Sequence, residues 1–144
     1  MIWKLALVLF AMVGISHLIF GMVYVTANEF MPYHAQALKV DWNSLDENYK
    51  TLFLALIRLA GAGGLVAGLV NLTLVSCLYH RVESRLIWLL IASSLIYQAM
   101  MNYVVYSVYI NTPGDPPLLM VSIGSVTFII ATILLLAGFR GKHA

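Results

Sequence analysis

The chain has 144 residues, room for one domain, with 62% hydrophobic residues, 10% charged residues and a net charge of +2. Soluble domains carry about 25% charged residues, so this balance points to a membrane protein. So small a net charge, on basic residues that form no stripe, excludes nucleic acid as a partner, and a single cysteine, Cys77, excludes an internal disulfide.

A helix needs about 20 mostly apolar residues to cross a bilayer, and only helices or closed barrels satisfy their backbone in lipid. Four runs reach that length: Leu5 to Val25, Leu52 to Leu78, Leu86 to Ile110 and Leu118 to Phe139. None shows the alternation of a barrel strand. The expectation is an all-α, antiparallel bundle of four transmembrane helices in one domain over residues 1–144. The first run has the basic start and apolar stretch of a secretion signal, but no clear small-x-small cleavage site follows. The run also continues to Val25, so it reads as a retained span.

Residues 26–50 form the long connection after the first span. Pro32 suits the first turn of a short helix. Tyr33 to Val40 then lies at the membrane interface, with Phe30, Met31 and Trp42 dipping inward. "SLDE" at 44–47 has the form of a capping box and predicts that the second helix starts near Leu45. "HRVESR" at 80–85 is a short polar link, and "NTPGDPP" at 111–117 cannot continue a helix.

Lys4, Arg81, Arg85, Arg140 and Lys142 fall on one side of this topology. Most of the acidic residues fall on the other. Positive residues stay inside, so both termini are expected in the cytoplasm, in an inner or plasma membrane, with the 26–50 loop outside.

Depth then turns scattered polar residues into a layer. His17 lies eight residues before Val25, about 12 Å deep at 1.5 Å per residue. Arg58 lies about 10 Å inside its own boundary and Asn102 about 12 Å. Ser94, Gln98, Asn102 and Tyr106 form one i, i+4 stripe. Gly14 and Gly21 share a face with His17, and Gly61 and Gly68 share one with Arg58, which marks close helix approach within the chain or between copies of it. Glu29 and His34 are expected at the rim of a roof over this layer.

Three functions compete for the set Glu29, His34, His17, Arg58, Gln98, Asn102 and Tyr106. One is a ligand site for an amphiphilic or lipid-like molecule with an anionic or carbonyl head, held by the donor fork of Arg58. Another is a membrane enzyme with His17 or His34 as acid–base and Arg58 stabilising negative charge. The third, from a different class, is an accessory or assembly subunit whose polar layer only fixes helix packing, with the 26–50 loop docking a partner membrane protein. The plain readings stand beside them. An interfacial arginine can snorkel, buried amides can bridge helices, and the tyrosines at 97, 103, 106 and 109 fit an aromatic belt. A transition metal on His17, His34 and Glu29 has suitable ligand types but no tight spacing, so no metal is assigned, and no cofactor follows from the residues.

Overall fold

The computed structural model describes residues 2–140. Its elements run α1 (Ile2–Val25), α2 (Pro32–Leu38), a single 3-10 turn (Trp42–Ser44), α3 (Glu47–His80), α4 (Ser84–Asn111) and α5 (Leu118–Arg140), with no strand among the described residues. α1, α3, α4 and α5 are each long and apolar enough to cross a membrane. Lys142, one of the charges behind the expected orientation, lies outside the described residues.

The helix ends follow local chemistry. α2 begins on Pro32 and stops at Lys39, which adopts the left-handed conformation at φ 54°. The expected capping box at Ser44 does not form. Ser44 Oγ donates to the carbonyl of Asp41 inside the 3-10 turn, and Asp46 caps α3 by accepting from the Asn48 amide at 2.9 Å. A carboxylate one residue before the helix is the stronger cap for a positive helix end. Glu47 is left to pair with Lys50. At 34 residues α3 is about 51 Å long, well beyond the roughly 30 Å of a hydrocarbon core.

The four long helices form a ring in which α1 packs on α3 and α5, and α4 packs on the same two. Their directions follow from which residues meet. Gly21 faces Gly61 and Leu65, while Gly14 faces Asn71 and Leu72. Trp3 faces Gly138, and Phe10 meets Phe128 edge to face at 6.0 Å. Each neighbour therefore runs opposite to the last. The α1–α3 seam is the closest. A Cβ on Gly21 would lie 2.6 Å from the Leu65 amide, and one on Gly61 would lie 2.6 Å from the Val25 amide. Only glycine allows the two backbones to touch there, so this small-residue stripe serves packing within one chain.

The bundle has two unlike halves. Toward the termini and the 81–83 link, Phe10, Leu78, Ile87, Leu90 and Leu135 are sealed from the surface and pack with Trp3, Leu7, Val13, Leu74 and Phe128. Toward α2, a smaller cluster of Ala27, Phe30 and Ile57 seats the long connection. Phe30 is its pin, edge to face with Trp42 at 5.0 Å and Phe53 at 6.1 Å. α2 also leans on the α4–α5 turn. Gln36 Oε1 accepts from the Asp115 amide, and a Cβ on Gly114 would lie 2.6 Å from the Tyr33 carbonyl. Around the outside, Leu59, Ile96 and Met120 are among many large apolar side chains left open. A face of that kind suits lipid better than water.

Candidate functional site

Between the two clusters the interior is polar. His17, Asn71, Ser94 and Gln98 are all buried, and among the described residues no Asp, Glu, Lys or Arg is. The sequence placed polar groups of α1, α3 and α4 at one depth; in the structure α1 and α4 supply them, the α3 member Arg58 stands apart, and α5 joins through Ser125. Gln98 Nε2 donates to Ser125 Oγ of α5 at 2.9 Å and to the Val121 carbonyl at 3.3 Å. Asn102 Nδ2 donates to the same Ser125 oxygen at 2.8 Å and to the Gln98 carbonyl at 2.7 Å. Ser125 Oγ has two acceptors of its own, the Val121 carbonyl at 2.9 Å and Asn102 Oδ1 at 3.2 Å. One turn toward the termini, Asn71 Nδ2 donates to Ser94 Oγ at 2.9 Å, tying α3 to α4.

Glycine makes the room for these side chains. The Tyr97 hydroxyl occupies the position where a Cβ on Gly64 would meet it at 2.8 Å, and Asn71 Oδ1 lies 2.9 Å from where one on Gly14 would stand. The Gln98 amide rests over Gly124. Each bulky polar group thus spans the narrow interior because the opposite helix has no side chain there.

His17 sits at the centre of this column. Its ring lies 4.5 Å from that of Tyr97, tilted by 61°. Among the described residues three buried side-chain atoms end without a partner: His17 Nδ1, the Tyr97 hydroxyl and Asn71 Oδ1.

The other expected site residues stand elsewhere. Arg58 does not reach His17. Its side chain is exposed, and its Nη2 donates to the Ala27 carbonyl just past the end of α1, at 3.3 Å. A cation is favourable at that helix end. Ala27 is ten residues beyond His17, so the guanidinium lies about 15 Å from the imidazole along the axis. His34 is half-buried against Tyr24, Tyr33 and Phe30, and its Nδ1 accepts from the Met31 amide at 3.1 Å. It closes the first turn of α2, where burial pushes its pKa below the ordinary histidine value. Tyr33 joins its hydroxyl to that of Tyr24, tying α2 to α1. Glu29 is exposed and lines an open hollow of about 580 Å³ with Phe30, Asp41 and Trp42. Tyr106 is exposed on α4, as an aromatic belt requires. Among the described residues no group of three or more His, Cys, Asp or Glu is placed to hold a metal ion.

The expected set therefore divides. Gln98 and Asn102 share one network and His17 stands beside it against Tyr97, while Arg58, Glu29, His34 and Tyr106 lie elsewhere. Tyr97 joins from a position read as belt, and Ser125 and Asn71 from within two of the apolar spans. The signal for Tyr97 was present: Ser94, Tyr97 and Gln98 are spaced i, i+3, i+4, one helix face. No protein-family model, curated protein or solved structure matches the chain. The class is thus defined by the fold alone, an all-helical chain with four membrane-length apolar helices.

Proposed function

We propose that the protein binds the polar head of an amphiphilic, lipid-like small molecule inside the outer half of the bundle. In this reading it sits in the cell membrane with both termini cytoplasmic and α2 on the outer face, as Lys4, Arg81 and Arg85 at the terminal end favour. The observation that carries it is the pair His17 Nδ1 and Tyr97 hydroxyl, buried, in neighbouring rings and unpartnered. More than nine in ten buried polar groups are paired in folded proteins, and each orphan costs about 1–3 kcal/mol. Two such atoms on neighbouring rings can be served together by one polar group of a ligand.

The rival readings draw less support. A purely structural layer has every reason to pair its atoms, as Gln98, Asn102 and Ser125 do. An acid–base enzyme built on His17, His34 and Arg58 needs those groups together, and His34 and Arg58 are each engaged with backbone elsewhere. Native mass spectrometry of the wild type and His17→Ala, each purified in mild detergent and checked for helicity, tests the proposal. The wild type is expected to carry a defined small-molecule adduct that the variant lacks. A bare wild-type chain contradicts the site and turns attention to a protein partner on the 26–50 loop.

A further inference from the structure

We infer that the head group of this ligand is an uncharged hydroxyl, presented by a long-chain alcohol or an equivalent lipid, and that it bridges His17 Nδ1 and the Tyr97 hydroxyl. The inference rests on the amphiphile site just proposed and specifies its chemistry. Charge decides the first part. No formal charge is buried among the described residues, and the guanidinium of Arg58 stands about 15 Å away at the rim, turned to the Ala27 carbonyl. A carboxylate or phosphate carried down to His17 meets no cation, and an unpaired charge in such surroundings is strongly disfavoured.

Hydrogen-bond polarity decides the second part. His17 Nδ1 and the Tyr97 hydroxyl are the two atoms left to satisfy, on rings 4.5 Å apart. A hydroxyl both donates and accepts, so it can serve the two in either tautomer of the imidazole. A ketone or ester oxygen has only lone pairs and can donate to neither. A single alcohol group satisfies both at once, giving its proton to one and accepting one from the other. The apolar remainder of the molecule leaves through the α3–α4 seam, where Gly64 and Tyr97 meet and where the packing is less extensive than between α1 and α3.

The test compares three probes of one chain length, 1-hexadecanol, methyl palmitate and palmitate, by native mass spectrometry of the full chain in neutral detergent, on the wild type, Tyr97→Phe and Arg58→Gln. Hexadecanol is expected to bind at least about tenfold better than the other two. Tyr97→Phe should lower its binding by about tenfold, and Arg58→Gln should leave it unchanged. If palmitate binds best and Arg58→Gln abolishes it, the hydroxyl assignment is overturned while the amphiphile site survives with its head at the rim. If methyl palmitate equals hexadecanol, the bridging role of Nδ1 is wrong. If none of the three binds and the purified chain carries no adduct, both the assignment and the site fall together.

Discussion

The terminal half of the bundle and its α2 half use the same four helices to different ends. Below Asn71 the interior is apolar and closed, with Phe10, Leu78, Ile87, Leu90 and Leu135 filling it. Above it the interior holds His17, Tyr97, Gln98, Asn102 and Ser125, and two of the polar atoms there have no partner. In lipid the hydrophobic effect does not hold helices together, so tight van der Waals packing must do so. The terminal half supplies that packing. The α2 half keeps polar groups that packing alone does not require, with glycines clearing space for them. The difference teaches that so small a chain confines its close apolar packing to one half and its buried polar groups to the other.

The comparison is sharpened most by substitution in the closed half. Phe10→Ala removes a fully buried ring from its contact with Phe128. It should cost about 3 kcal/mol, the low end for such a change because lipid solvates apolar groups in the unfolded reference. Reversible unfolding in mixed micelles measures this, and a loss under about 1 kcal/mol would mean the terminal half is not the stable one. In the polar half Gln98→Leu severs the bonds to Ser125 and Val121. Membrane hydrogen bonds average about 0.6 kcal/mol, so the expected loss is only about 1 kcal/mol, read by the same titration.

The smallest effect is local and pH-dependent. Burial lowers the pKa of His34, so the folded state favours its neutral form. That contribution is whole above the ordinary value near 6.5 and is lost as pH falls through the lowered value. Protonation also places a proton on Nδ1, where the Met31 amide now donates. Corrected for its intrinsic pH dependence, amide exchange at Met31 and His34 should rise as pH falls below about 6.5, while the corrected exchange in α1 below His17 stays constant. His34→Gln should flatten the profile; a profile that persists in this variant assigns the effect elsewhere.

Much of the architecture was legible from the sequence. Apolar run length marked all four long helices to within a few residues, because the bilayer imposes that length on any spanning helix. The Pro32 start of α2 followed from the fixed φ of proline. The cap of α3 was misplaced because both Ser44 and Asp46 are competent caps, and only the 3-10 turn over 42–44 decides between them. The site was half legible. Depth along each helix put His17, Gln98 and Asn102 together, since rise per residue is constant. Depth could not say that Arg58 faces the end of α1, because rotation about the helix axis is set by which glycines touch. Tyr97 was hidden among belt tyrosines for the same reason. Ser125 was hidden because a lone serine in an apolar helix usually bonds its own backbone, as it also does here with Val121.

The central claim is that the α2 half holds unpartnered polar atoms at a cost to the fold, and Tyr97→Phe tests it most directly. The measurement is the unfolding free energy of this variant against wild type in ligand-free micelles. Removing a buried hydroxyl that has no partner should leave stability unchanged or raise it by about 1 kcal/mol. A drop of 1 kcal/mol or more would show that the hydroxyl has a structural partner within the protein, and the polar column would then be packing rather than a site.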